Sequence, residues 1–514
     1  MISGELQIKD LSQYNLIFGP PGTGKTYTLE KIIEDATRNN LTYRYITYSK
    51  SMAEEARKRI DATKDSVSTL HSALSRIMGL RAGDDGDFLT PSDIRQFCEE
   101  NNMTYGRVTD DADPEDLESD WAMFSFSYAK FVETLGQHHI DEDAYKYSWD
   151  IRPSLILPKY LEYKEKLSKM DYEDLLIQGL KIELPYFDVL IADEVQDFTP
   201  IMWEILKRWP SKFLVMAGDD FQELYAYRGV RTSDFLQWRD KAKTFHLTRS
   251  FRFGNNVRDI AGVITSKIKY GEKKEYEGLG NTKIENISIE KFIQLPGRKA
   301  ILTRTNRLAK EIGEYISELG KITIPINPSH EPLQPWNLDM IRLTNIIYRY
   351  PKVSIEDLEF LIPHMYARGF LIQGLKSQLK RGKLSLDKDL EGNYKISEFN
   401  ITKEDLIQHL NIPDKYISRM YPFIHKGISD DDIIMIDTVH AAKGREFDTV
   451  WVSFDTTKRI LDEWDENEDV ERKIMNVAIT RAKRYLGLGL FKDRNPSPLY
   501  EELIMKLKGQ QTLF

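Results

Sequence analysis

The stretch Tyr14-Asn-Leu-Ile-Phe18-Gly19-Pro20-Pro21-Gly22-Thr23-Gly24-Lys25-Thr26-Tyr27 decides the fold class. A short apolar run of the kind that suits a strand covered on both faces passes into a glycine-rich loop, and then into a helix-like segment from about Tyr27. The loop has the spacing G-x-x-x-x-G-K-[ST]. Its glycines let backbone N–H groups curl around phosphate oxygens, and the helix that follows adds the positive end of its dipole. Lys25 is the residue type that holds β- and γ-phosphates, and the Thr26 hydroxyl is the type that ligates Mg²⁺. Residues 19–26 are therefore expected to bind a nucleoside triphosphate.

Outward from this loop the same rhythm recurs: an apolar, β-rich run, a polar turn, a helix-like segment. The runs are Tyr14–Phe18, Thr42–Thr47, Val189–Ala192, Phe213–Ala217, Ala300–Thr303, Ile433–Asp437, Thr449–Phe454 and Tyr485–Leu490. They fall into an early and a late set, which predicts two α/β lobes with parallel sheets flanked by helices. Two stretches interrupt the rhythm. Residues 75–165 are helical in pattern and acidic around Asp110–Asp120, and residues 321–430 open with the Pro-rich piece Ile324–Pro335 and then turn helical. Both are expected to be insertions hung from the lobes.

Composition narrows the class. The 514 residues are 41% hydrophobic and 30% charged, ample for sizeable cores and unlike a disordered chain. No run approaches the roughly 18 apolar residues of a membrane-spanning helix, and the N-terminus has no signal-peptide core. A single cysteine, Cys98, excludes a disulfide framework and a Cys-rich metal site, so a reducing, intracellular and cytoplasmic location is expected. The net charge of −9 counts against a protein that simply wraps nucleic acid, but leaves room for a local positive groove.

The second half of the nucleotide chemistry is Val189-Leu-Ile-Ala-Asp193-Glu194, a strand that ends in two carboxylates. Delivered beside the loop, Asp193 would reach Mg²⁺ through its water shell, and Glu194 would take a proton from the attacking water. The loop and the carboxylates together imply a nucleoside triphosphatase.

The residues after Glu194 resemble a known family. Asp193-Glu-Val-Gln-Asp197 and Gly218-Asp-Asp-Phe-Gln222-Glu-Leu-Tyr225-Ala-Tyr227-Arg228-Gly229 are similar to motifs II and III of the UvrD/Rep/PcrA-type superfamily 1 DNA helicases. Others follow in order: Thr47–Ala53 (motif Ia), Ser68–His71 (Ib), Met170–Leu175 before motif II, Leu247–Arg252 (IV), Ala300–Asn306 (IVa), Asp437–Phe447 (V) and Asn476–Ala482 (VI). The resemblance implies two RecA-like domains: 1A at 1–74 and 166–247, and 2A at 248–320 and 431–514. Insertion 1B would be 75–165, and 321–430 would be a reduced 2B-like insertion. It further implies an ATP- and Mg²⁺-dependent motor on single-stranded DNA and at single/double-strand junctions, moving 3′→5′.

By the same resemblance, Arg252 and Arg481 are the arginines that meet charge on the γ-phosphate, Gln222 senses that phosphate, and Glu446 faces the ribose or phosphates. The bases would stack on Tyr48 and Tyr227, with His71, Arg228, Arg304, Asn306 and His440 nearby. The chain departs from the family at its start. The Gln-containing motif that reads adenine would fall near Gly4, and Tyr27 stands where relatives often carry Arg, so Tyr27 and Phe251 are expected to sandwich the base. The second insertion carries Lys376, Lys380, Arg381 and Lys383, which could touch duplex phosphates, and with 33 residues after Arg481 no appended nuclease domain is expected. Three rivals stay open: a motor of 5′→3′ polarity or acting on RNA, a nucleotide-switched binder of single strands, and a translocase that strips proteins with little unwinding.

Overall fold

The computed structural model describes residues 5–511 except 82, 84–85, 107–113, 115–116, 329, 331–334, 351, 366–393, 396–401 and 493–494. Lys376, Lys380, Arg381 and Lys383 lie outside the described residues.

Six strands make the first sheet: β1 (Tyr14–Phe18), β2 (Tyr43–Thr47), β3 (Val67–Thr69), β4 (Phe187–Asp193), β5 (Ser211–Gly218) and β6 (Lys243–His246). Their order is β3-β2-β4-β5-β1-β6, and every pair is parallel. The apolar runs read from the sequence are its central strands. Leu16, Ile17, Ile191, Leu190, Val215 and Met216 are buried on both faces, as helices on each side require. One face packs Ile17, Ile191 and Val215 against Leu29, Ile32 and Ile33 of the helix Lys25–Arg38. The other packs Leu16, Leu190 and Met216 against Ile201, Ile205 and Trp203 of the helix Pro200–Arg208 and against the aromatic core of the first insertion.

That insertion is built from the helices Pro91–Glu100, Asp120–Glu133, Glu142–Lys146 and Pro153–Leu167. Phe97, Trp121, Phe124, Tyr128 and Tyr160 interlock there through edge and stacked ring contacts.

The chain divides into two compact units, residues 1–286 with 439–514, and residues 287–438. The first unit holds, besides the six-stranded sheet, the short pair β7 (Arg249–Ser250) and β8 (Glu277–Gly278). It also holds β9 (Lys283–Asn286), beside the later strands of the second lobe. The second unit holds β10 (Lys299–Thr303), β11 (Ile322–Ile324), the antiparallel pair β12 (Lys352–Val353) and β13 (Tyr394–Lys395), and β14 (Ile433–Thr438). Strands β11, β14 and β10 run parallel in that order. In the first unit β15 (Phe447–Ser453) and β16 (Ala482–Gly489) are parallel, and β16 pairs in turn with β9. The helical part of the second unit has its own core, in which Trp336, Met340 and Leu343 pack with Leu406, Met420 and Phe423. No helix among the described residues is long and apolar enough to cross a membrane.

Candidate nucleotide site and nucleic-acid face

The glycine-rich loop leads from β1 into the helix Lys25–Arg38. Lys25 Nζ donates to the carbonyls of Gly19 (2.8 Å) and Pro20 (3.4 Å), the two residues at the loop's start. Burial lowers its pKa, partly offset by the negative charges of Glu194, Asp219 and Asp193. The register of β2 against β4 pairs Thr47 with Asp193, and Tyr45, two residues earlier on the same face, donates its hydroxyl to Asp193 Oδ2 at 2.6 Å. Thr26 Oγ1 donates to the same oxygen at 2.9 Å. Burial and the neighbouring Glu194 push the Asp193 carboxyl up to about 6.

Glu194 follows with φ 54° and ψ 41°, a left-handed conformation that costs a non-glycine residue on the order of 1–3 kcal/mol and concentrates at functional sites. Gln196 ties this turn to the next strand. Its Nε2 donates to Glu194 Oε2, while its Oε1 accepts the Asp219 N–H at 3.0 Å.

The segment Arg249–Phe253 closes on the loop from the other side. Ser250 Oγ donates to the Pro21 carbonyl (2.8 Å) and the Phe251 N–H to that of Gly22 (2.9 Å). Gly22 has φ +72°, and a Cβ there would stand 2.6 Å from Arg252 Cβ, so only glycine allows this approach. Arg252 donates to Glu446 Oε2 (2.8 Å) and to the Thr480 carbonyl (3.1 Å). Although burial would raise the Glu446 carboxyl, Lys483 and Arg252 hold it below the usual carboxylate range.

Arg481 is 1% exposed; it donates to Gln222 Oε1 (3.0 Å), Val477 O (3.0 Å) and Arg445 O (3.2 Å). Burial and the charge of Arg252 push its pKa down to about 9, which leaves it cationic at neutral pH. Lys25, Glu194, Gln222, Arg252 and Arg481 thus lie in one compact unit around the loop. Tyr27 and Phe251, 47% and 55% exposed, present their rings to solvent.

A row of rings occupies the ends of β2 and β5 and the segment that follows β14. Tyr48 packs on Tyr225 with centroids 4.7 Å apart, and Tyr225 meets Tyr227 (6.0 Å) and His440 (6.1 Å). Tyr227 meets His440 edge-on at 5.7 Å and stacks on Phe126 of the first insertion at 6.2 Å. Arg228 pairs with Glu133 at 3.3 Å. His71 lies edge-on to Tyr172, and burial together with the charge of Arg228 pushes its imidazole down to about 4, neutral at pH 7. Arg304, buried at the end of β10, and Asn306, the first residue of the helix Asn306–Glu318, belong to the second unit.

Sequence reading did not select Tyr45, Gln196, Tyr225 or Lys443 as site residues. Lys443 stands between the two chemistries: it donates to the Gln222 carbonyl at 2.6 Å, pairs with Asp197, and lies 5.3 Å over the Tyr225 ring. Tyr225 and Lys443 sit inside stretches already recognised, which was a usable signal. Tyr45 carries none, because its tie to Asp193 exists only through strand pairing.

A phosphate loop, a paired carboxylate two strands away and two arginines bound to the same shell define a RecA-like nucleic-acid motor of the P-loop class. The chain belongs to the UvrD/Rep-type superfamily 1 helicases. Residues 4–243 match the UvrD/REP helicase N-terminal domain, and residues 405–493 match the UvrD-like helicase C-terminal domain. It is similar to a probable DNA helicase II homolog of Mycoplasma pneumoniae, 22% identical over 92% of this chain and 81% of that protein. It is similar also to F-box DNA helicase 1 of Gallus gallus, 25% identical over 90% of this chain and 46% of that one. A third relative is the putative ATP-dependent DNA helicase YjcD of Bacillus subtilis, 23% identical over 67% and 58%. The chain is an ATP-using, nucleic-acid-dependent helicase of this family, with DNA as its substrate.

Proposed function

We propose that this enzyme couples Mg²⁺-dependent ATP hydrolysis to 3′→5′ movement along single-stranded DNA and opens duplexes at single/double-strand junctions. The observation that carries the reading is the contact of Arg481 with Gln222 Oε1 at 3.0 Å. It joins an arginine of the last motif to the side chain suited to sense the γ-phosphate, beside Lys25. Charge that develops on a transferring phosphoryl group is met by such preset cations, without reorganisation at the moment of reaction.

Each residue then has a task. The loop amides of residues 19–24 and Lys25 hold the phosphates, Glu194 accepts the proton of the attacking water, and Arg252 and Arg481 face the γ-phosphate. Tyr27 and Phe251, exposed on either side of the loop, are the rings available to the adenine. Thr26 Oγ1 and Asp193 Oδ2, 2.9 Å apart, are two hard oxygen donors beside the loop and fit Mg²⁺, which keeps several waters and takes one or two protein oxygens. Bound there, the ion would offset phosphate charge. Tyr48 and Tyr227, with Arg228, His71 and the buried His440 adjoining, offer ring faces and edges to bases without sequence readout, and Arg304 and Asn306, in the second unit, are assigned to nucleic acid by the motif they belong to. The DNA helicase names of the relatives and the wording of motifs Ia, III and IV support DNA as the track and 3′→5′ as the direction.

The test is ATP-driven strand separation on short duplexes with a 3′ or a 5′ DNA tail, with an RNA-tailed pair alongside and Lys25→Ala as control. Opening of the 3′-tailed DNA alone is expected. Opening of only the 5′-tailed duplex, or of the RNA-tailed one in preference, refutes the polarity or the track. Stimulated hydrolysis with no opening of either leaves a translocase that needs another obstacle.

A further inference from the structure

Lys274 is a lysine that the motif reading passes over. It lies beyond the helix Asn255–Thr265, on the stretch that leads from Arg252 into β8. Its side chain is 7% exposed, and Nζ stands 2.7 Å from Asp219 Oδ1 and pairs also with Asp220. The ammonium lies 3.9 Å from the ring centroid of Phe221 and 4.7 Å from that of Phe18, so apolar and aromatic groups complete its surroundings. The chain is shaped to bring it in. The Glu272 N–H donates to Asp220 Oδ2 at 2.6 Å, and a Cβ on Gly271 (φ +152°) would fall 2.3 Å from the Phe221 ring and 2.8 Å from Asp220 Oδ2.

A buried cation of this kind returns little net stability, because desolvation consumes most of the Coulomb gain. What it does here is geometric. Asp219 Oδ2 accepts Gln222 Nε2 at 2.7 Å, and Gln222 Oε1 accepts Arg481 Nη2 at 3.0 Å. The Asp219 N–H is held by Gln196, whose Nε2 reaches Glu194. One carboxylate therefore stands at the centre of a chain of charge-assisted bonds: Lys274 to Asp219, Asp219 to Gln222, Gln222 to Arg481. Against burial, Lys274 and Lys25 hold that carboxylate ionised. The ammonium arrives from the segment after Arg252, whereas Asp219 and Gln222 follow β5, so the pair joins the stretches that the sequence assigns to different lobes.

We propose that Lys274 is a positioning residue for hydrolysis: by fixing Asp219 it orients the Gln222 amide toward the γ-phosphate and toward Arg481. This rests on the functional reading above. Because Lys274 acts through Asp219 and Gln222, its loss should leave ATP binding intact and slow the chemical step. A misplacement of about 1 Å in such a shell costs on the order of 100-fold in rate.

The test is steady-state ATP hydrolysis by the full chain at saturating single-stranded DNA, for wild type, Lys274→Arg, Lys274→Met, Gln222→Ala and the Lys274→Met/Gln222→Ala double variant. Lys274→Met is expected to lower kcat about 100-fold with KM for ATP within about threefold, and Lys274→Arg to recover most of the loss. The double variant is expected to be no slower than Gln222→Ala, since both changes break one chain. A cavity of about 660 Å³ lined by Lys274, Asp219, Pro20 and Pro21 adds a further readout: methylammonium should restore part of the rate of Lys274→Ala and none of that of Lys25→Ala.

A kcat for Lys274→Met within threefold of wild type, or multiplied losses in the double variant, overturns the proposal. Should Lys274→Met fail to melt cooperatively, Lys274→Gln, which keeps a donor without the charge, carries the same expectation. A wild type with no DNA-stimulated hydrolysis sinks the functional reading. A wild type that hydrolyses beside an unimpaired Lys274→Met sinks this inference alone.

Discussion

The nucleotide shell and the row of rings are built on opposite principles within the same unit. Around the loop, Lys25, Asp193, Arg481 and Gln222 are buried, and the bonds from Thr26 and Tyr45 to Asp193 and from Arg481 to Gln222 are charge-assisted, between 2.6 and 3.0 Å. In the row, Tyr48, Tyr225, Tyr227 and His440 meet at 4.7–6.1 Å with ring planes at varied angles. Charge–charge geometry in a dry site is steep in distance, so displacements of an ångström matter there. Stacking is shallow and tolerant, which suits a track whose bases differ at every step. Lys443 takes part in both, bonded to the Gln222 carbonyl and lying over Tyr225.

The largest effect is expected from Lys25→Ala, which should cut DNA-stimulated hydrolysis by a factor of about 1,000 or more, because it removes a buried cation from the glycine-rich loop proposed to hold the phosphates. Fluorescence titration of single-stranded DNA should show its affinity nearly unchanged. A parallel loss of DNA binding would mean that the two regions are not separable. Tyr227→Ala should act in the opposite sense, raising the DNA concentration for half-maximal stimulation by about 10- to 100-fold, the equivalent of roughly 1–3 kcal/mol per stacked base. A large fall in kcat at saturating DNA with no shift in that concentration would take Tyr227 out of the track.

Tyr45→Phe probes the steep side with a single atom. Loss of the hydroxyl that donates to Asp193 at 2.6 Å should raise the Mg²⁺ concentration needed for half-maximal hydrolysis by about 10-fold, with DNA affinity unaltered. An unchanged Mg²⁺ requirement would leave Tyr45 a core residue only.

The smallest effect concerns Glu173, beside the row. Burial, then the charge of Asp171, push its carboxyl from 4.5 up to about 8. The folded state therefore holds this proton more tightly than the unfolded chain does. The resulting stability is fully present below pH 4.5 and is lost as pH rises toward about 8. Glu173→Gln should melt a few degrees above wild type near pH 8, with the gap closing toward about pH 5. A gap that is constant with pH would show that Glu173 does not titrate in this window.

The legible parts of the fold share a physical cause. All eight apolar runs are strands, because parallel strands between helices are apolar on both faces. Eight strands among the described residues went unread: four are two-residue strands in the pairs β7–β8 and β12–β13, and the other four are Val67–Thr69, Lys243–His246, Lys283–Asn286 and Ile322–Ile324. Each of the latter four is three or four residues long and lies at an edge, where one side is solvated and the continuous apolar pattern breaks. The compact units likewise divide at 286 and 438, within the expected second lobe, since composition does not record which helices pack together.

Of the candidate site, what is contiguous in the chain was readable: Gly19–Thr26, Asp193-Glu194, Gly218–Gly229 and Asn476–Ala482 each hold their chemistry within a few residues of backbone. Sequence by itself determined a P-loop α/β enzyme of the UvrD type, because a phosphate cradle and a carboxylate-ended strand need fixed local spacing. Only the tertiary structure decided that Tyr45 serves Asp193, that Gln196 bridges Glu194 to Asp219, and that Lys274 anchors the same aspartate from another segment. Those partners are set by strand register and by a glycine that lets one turn press against another, and neither leaves a periodic or local mark on the residues that meet.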